Sequence, residues 1–156
     1  MRLVLYQPDI PPNAGTLIRL GACLGVPVDI IEPCGFPFND RSFRRAGLDY
    51  LDLAEVTRHS SWEAYADFRR GLPGRLILMT TRAQQSHHSF SFAVPDSIML
   101  GRETAGVPDV LHAAVDARLR IPMVPGRRAL NVAVAGAIAV AEALRQTEQF
   151  PLAGVE

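Results

Sequence analysis

Three short segments of the 156-residue chain hold residues whose types and spacing suit chemistry. The first is Asn13-Ala14-Gly15-Thr16-Leu17-Ile18-Arg19. Gly15 and Arg19 are four apart, so they share a helix face, and helical side chains lean toward the N-terminus, placing Arg19 over Gly15. Glycine leaves room there for a substrate backbone. A guanidinium and a helix start capped by Asn13 then converge on one spot, which suits an anion or an RNA phosphate. The second segment is Leu100-Gly101-Arg102-Glu103-Thr104-Ala105-Gly106-Val107-Pro108. Gly101 and Gly106 permit close ligand approach, and Glu103 can pair with an arginine or orient a hydroxyl. It is neither a P-loop nor a GxGxxG fingerprint. The third runs from Ile121 through Pro122, Met123, Pro125, Gly126, Ala129 and Leu130 to Asn131. Its prolines stiffen it, and its apolar residues suit a loop that wraps an adenine and offers backbone groups to the ring edge. Each segment also has a plainer reading: a cap with a packing glycine and a solvated arginine, an ordinary turn, and a stiff connector.

The elements that must position these segments follow from periodicity. Short apolar runs at Leu3–Tyr6, Val28–Ile31, Leu76–Thr80, Ser97–Leu100 and Ala117–Ile121 read as strands, with a weaker one at Tyr50–Val56. Helices are expected over Ala14–Leu24 with Asn13 as N-cap, Arg41–Ala46, Ser61–Arg70, Val107–Ala114 and Asn131–Gln149, and a loop over Arg82–Phe92. Alternating strands and helices with apolar strands imply an α/β fold, a parallel sheet covered by helices on both faces. The second segment then sits at the carboxyl edge of that sheet, where such folds bind ligands. From Val132 to Ala141 the last helix has no polar face, so it must be covered all round. A second copy of the chain is the simplest cover, and a central place inside the monomer is the alternative.

Composition narrows the chemistry. Apolar residues make up 48% and charged residues 21%, which fits one globular domain over 1–156. Formal charge is zero, against a partner held by a global positive field. All sixteen basic residues are arginine, so mechanisms that need a lysine are out. Cys23 and Cys34 make no disulfide scaffold or zinc spacing, and His87-His88 lacks a third ligand, so no metal is expected. No segment is long enough for a membrane span or a signal peptide, and a cytoplasmic protein is expected.

Taken together, Asn13-x-Gly15-x-x-x-Arg19, Leu100-Gly101-x-Glu103-Thr104-x-Gly106-Val107-Pro108 and Ile121-Pro122-Met123 with Leu130-Asn131 resemble the three motifs of the SPOUT RNA methyltransferases. Leu5-Tyr6-x-Pro8-x-Ile10-Pro11-Pro12-Asn13, Ile31-Glu32-Pro33-x-Gly35-Phe36 and Arg44-Arg45-Ala46-Gly47-Leu48-Asp49-Tyr50 resemble its branch that methylates the wobble nucleotide of tRNA. The resemblance spans nearly the whole chain. It implies a deep C-terminal trefoil knot, against the general rule, and a homodimer. It implies S-adenosylmethionine as donor and S-adenosylhomocysteine as product. It places the donor at Met79, Thr80, Leu100, Gly101, Gly106, Ile121, Met123, Ala129, Leu130 and Asn131. Transfer would go to the ribose 2′-OH of cytidine or a modified uridine at position 34, in leucine tRNAs. Arg19, Asn13 and Glu103 would be catalytic, with Arg19 reaching the partner subunit's donor. Arginine stays protonated, so Arg19 would hold the neighbouring phosphate rather than act as a base.

Arg41, Arg44, Arg45, Arg127 and Arg128 form clusters suited to the phosphates of an anticodon stem-loop. Six positions depart from the family's pattern: Arg102 stands in place of a proline, Ala105 of an arginine, Val132 of a leucine, Ala133 of a serine, Val134 of an asparagine and Ala141 of a tyrosine. Two other readings stay open: a methyltransferase for another tRNA or rRNA position, and an RNA-binding knot protein without catalysis.

Overall fold

The computed structural model describes residues 1–39 and 41–152. Asp40 and residues 153–156 of the expected 1–156 domain lie outside the described residues. Six strands form one parallel sheet: β1 (Arg2–Tyr6), β2 (Val28–Ile31), β3 (Val56–His59), β4 (Leu76–Met79), β5 (Ser97–Leu100) and β6 (Ala117–Leu119), in the order β3-β2-β1-β5-β4-β6. Every residue of β2, β4 and β5 is buried, as a parallel sheet covered on both faces requires. Period two sorts their side chains. Leu3, Leu5, Ile77, Met79, Ile98 and Leu100 pack under α1 (Pro11–Leu24), α2 (Arg41–Gly47) and α5 (Val132–Thr147). Val4, Tyr6, Leu76, Leu78 and Met99 pack under α3 (Trp62–Arg69) and α4 (Asp109–Ala114).

Two expectations differ. First, α1 starts at Pro11, with extended Ile10 as its N-cap rather than Asn13. Proline lacks the N–H that a first turn leaves unused, and its fixed φ suits the helix start. The backbone N–H groups of Asn13 and Ala14 both donate to the Ile10 carbonyl, so the Asn13 side chain is free for other work. Second, Tyr50–Val56 is not a strand. Leu48–Leu51 makes a 3-10 turn closed by Leu53 and Ala54 N–H groups on the Tyr50 carbonyl, and β3 starts at Val56. Tyr50, Leu51 and Leu53 do not alternate faces: Leu51 packs on the core while Leu53 is 73% exposed.

Helix α5 starts where expected, with Asn131 Oδ1 accepting from the N–H groups of Ala133 and Val134 at 2.8 and 3.3 Å. A Cβ on Gly136 would lie 2.6 Å from a Leu17 methyl and 2.8 Å from a Leu100 methyl, so glycine lets α5 settle between α1 and the sheet without displacing those side chains. The other side of α5 is less covered. Val134 is 48% exposed, and Ile138 and Ala141 are half-buried. Among the described residues no helix is long and apolar enough to cross a membrane.

Candidate active site

A cavity of about 510 Å³ opens at the carboxyl ends of β4 and β5, walled by the residues that follow β4, β5 and β6. All ten residues expected to hold a donor line it: Met79, Thr80, Leu100, Gly101, Gly106, Ile121, Met123, Ala129, Leu130 and Asn131. Asn13 and Glu103 line it too. The wall also includes Arg102 of the second segment, and Arg82 and His112, which lie outside all three segments. His112 sits on the buried side of short α4 beside Leu111, a spacing that reads as core in sequence.

One chain of hydrogen bonds joins the three segments. The Asn131 amide donates to Asn13 Oδ1 at 2.9 Å, and the Asn13 amide donates to Glu103 Oε1 at 3.2 Å. Glu103 Oε2 accepts from the Asp9 backbone N–H at 3.0 Å. Glu103 therefore orients an amide rather than pairing with an arginine, and Asn13 serves as a bridge. Asp9 escaped the sequence reading because it stands between the prolines of the segment leading into α1, outside the three motifs.

The two carboxyls titrate in opposite directions. Burial and the neighbouring Asp9 carboxyl raise Glu103 above its ordinary value, outweighing the N–H that the Asp9 backbone donates to it. Burial also opposes the Asp9 charge, but hydrogen bonds from Glu103 and Thr104 and the charge of Arg102 prevail and hold Asp9 at about 2. A depressed carboxyl stabilises the fold above its unfolded value of 3.8 and loses that contribution as pH falls toward about 2.

Gly15 is placed differently from expectation. The space over Gly15 is filled by α2: a Cβ there would lie 2.6 Å from the Phe43 carbonyl oxygen and 2.8 Å from the Ala46 Cβ. Gly15 thus serves helix packing, and no substrate backbone fits over it. Gly15→Ala must push α2 outward, with an expected loss of about 1–3 kcal/mol in denaturant unfolding. Arg19 lines no part of its own chain's cavity and is exposed, its guanidinium 5.1 Å from the centre of the Tyr50 ring.

Arginine pairing resolves the zero net charge. Eight of the sixteen arginines form ion pairs with carboxylates: Arg2, Arg58, Arg69, Arg70, Arg75, Arg82, Arg102 and Arg145. The others are all exposed and make no ion pair among the described residues. They include Arg19, Arg41, Arg44, Arg45, Arg127 and Arg128, together with Arg118 and Arg120. Among the described residues half of the cations are cancelled locally, so the surface keeps basic clusters despite the balance. Among the described residues no group of three His, Cys, Asp or Glu is placed to hold a metal ion.

Known proteins with this pattern are RNA methyltransferases. The SpoU rRNA Methylase family matches residues 1–141. A tRNA (cytidine(34)-2'-O)-methyltransferase of Ancylobacter novellus is 52% identical over 99% of this chain and 98% of its own length. A solved structure concerned with the 2-OH methylation of C/U34 on tRNA is 38% identical, with a TM-score of 0.88 over 93% of this chain and 94% of that one. The SpoU methyltransferase AviRb from Streptomyces viridochromogenes, solved in complex with the cofactor AdoMet, is 26% identical, with a TM-score of 0.85 over 94% of this chain and 60% of that one.

Proposed function

The chain belongs to the SpoU rRNA Methylase family, and from that premise we propose that it methylates the ribose 2′-OH of the wobble nucleotide, position 34, of tRNA, with S-adenosylmethionine as donor. The observation that carries the reading is the Asn131–Asn13–Glu103 chain of hydrogen bonds on the cavity wall. It gathers all three motif segments around one space in a chain 52% identical to a wobble methyltransferase.

The cavity fits the donor. Leu100, Ile121, Met123 and Leu130 give an apolar wall for an adenine, and the glycine-containing loop after β5 leaves backbone groups accessible. When bound, S-adenosylmethionine supplies a sulfonium methyl group open to attack by an oxygen, and S-adenosylhomocysteine remains. The chain's own residues supply position. Glu103 and Asn13 fix the wall against which the ribose must lie. Arg19 lies outside the wall of its own cavity, which agrees with service to the partner subunit's cavity in a homodimer joined through the less covered side of α5. There it grips the phosphate next to the target ribose with its two-pronged donor set. The hydroxyl proton leaves through that phosphate or through water, because arginine has no proton vacancy at neutral pH. Arg41, Arg44, Arg45, Arg127 and Arg128 hold the anticodon stem-loop.

The same reading includes one SPOUT domain over 1–156, the trefoil knot in its C-terminal half, leucine tRNAs as substrates and a cytoplasmic location alongside them. The test is incubation with tRNA that lacks the modification and with labelled S-adenosylmethionine. Label in tRNA is expected. Donor binding without transfer to any tRNA contradicts the reading, and label only in rRNA selects a different substrate.

A further inference from the structure

We propose that Asp9 is a positioning residue that locks the loop of residues 101–106 in place and so sets the shape of the donor cavity. The inference rests on the reading of that cavity as the donor site. Asp9 does not line the cavity. It acts through the residues that do.

The lock is reciprocal. The Asp9 backbone N–H donates to Glu103 Oε2 at 3.0 Å, and the Glu103 backbone N–H donates to Asp9 Oδ1 at 3.2 Å. The Thr104 hydroxyl donates to Asp9 Oδ2, and Arg102 Nε lies 3.5 Å from that same oxygen. One carboxylate thus meets three consecutive residues of the loop. Its side chain is 10% exposed, so water competes little for these bonds. The loop's own closure is slight: Arg102 and Gly106 exchange two backbone hydrogen bonds, at 3.0 and 2.9 Å, around a left-handed Gly106.

Asp9 is itself held from behind. The Gly35 N–H donates to the Pro8 carbonyl at 2.9 Å, and a Cβ on Gly35 would lie 2.6 Å from the Asp9 Cβ. The segment before α1 is therefore wedged between two loops, and its carboxylate faces the one that walls the cavity. Gly101, Arg102, Ala105 and Gly106 line that wall, so a shift of the loop changes the space for the donor directly. The contacts lie beyond the strand ends, and Asp9 belongs to neither apolar cluster.

The test compares wild type, Asp9→Ala, Asp9→Asn and Thr104→Val by calorimetric titration with S-adenosylmethionine, and by steady-state kinetics with tRNA. Asp9→Ala should raise the donor Kd about tenfold or more, while the KM for tRNA stays within about twofold. Asp9→Asn keeps one acceptor for the Glu103 N–H and turns an amide toward Thr104 and Arg102, so it should fall between. Thr104→Val removes a single bond and should raise the donor Kd about two- to threefold. Folded Asp9→Ala with donor affinity within about twofold of wild type overturns the proposal. So does an equal rise in both constants, which a merely structural role would give. Should Asp9→Ala fail to fold, Thr104→Val decides, and unchanged donor affinity there overturns it as well. Wild-type protein that binds no donor also overturns it. Wild-type protein that binds donor yet methylates no tRNA defeats the tRNA reading alone, and the Asp9 comparison still stands.

Discussion

Arg19→Ala is expected to reduce methyl transfer to tRNA by about 10²- to 10⁴-fold and to leave donor affinity within about twofold. Donor binding should survive because Arg19 lies outside the cavity wall. The fold should survive because the residue is exposed and its only described partner is the face of Tyr50. Loss of transfer is then a loss of substrate position. A guanidinium on a phosphate is a charge-assisted pair, and misplacing a ribose oxygen relative to a methyl group is costly in rate. Arg19→Lys keeps the charge and loses the fork, so it should retain only part of the rate. The placement of Arg19 also makes an unusual demand, since it must serve the partner subunit. Mixing Arg19→Ala protein with Glu103→Ala protein and letting subunits exchange should restore about a quarter of wild-type transfer. In the mixed dimer one site has both groups and the other has neither. No restoration, with exchange verified, would place Arg19 and Glu103 in the same subunit's site or Arg19 outside the reaction.

Glu103→Ala should weaken donor binding about tenfold and lower transfer further. The substitution strips acceptors from the Asn13 amide and the Asp9 N–H at once, and partly buried donors without partners cost about 1–3 kcal/mol each. It also frees Asn13 to turn away from Asn131, opening the seam between the first and third segments. Glu103→Gln is the sharper control. Its single carbonyl oxygen can satisfy one of the two donors, while its NH₂ confronts the other, so partial rescue is expected. Because burial and Asp9 raise the wild-type carboxyl above its ordinary 4.5, protonation disturbs the same contacts on the acid side. Donor affinity of wild type should therefore begin to fall at a pH above 4.5, and the glutamine variant should lack that limb. A wild-type affinity flat down to that pH would show that the two acceptor bonds do not govern the cavity.

Five of the six strands and α5 were legible in the sequence, most of the strands because burial on both faces leaves continuous apolar runs, and α5 because Asn131 is a side chain that a helix start uses in an ordinary way; β3, with only His59 of its four residues buried, leaves no such run. The cavity residues were legible only through the resemblance. Nothing in the type of Met79 or Ala129 marks a binding wall, since the backbone there matters more than the side chain. Asn13 misled for a physical reason: two prolines ahead of it start the helix earlier, and the amide then spans to Glu103 and Asn131. Gly15 misled likewise, because an empty helix face in sequence does not say which neighbour fills it, and α2 does. The zero charge obscured the basic clusters, since a sum over residues discards which arginines have partners. Asp9 stayed hidden because its role depends on a loop 94 residues away.

The most direct measurement of the central claim is nuclease digestion and mass spectrometry of unmodified leucine tRNA after reaction with the protein and S-adenosylmethionine. The account predicts one added methyl group, on the ribose of nucleotide 34, absent when the protein carries Arg19→Ala. A methyl on a base, at another nucleotide, or absent from a reaction in which the donor binds would contradict it.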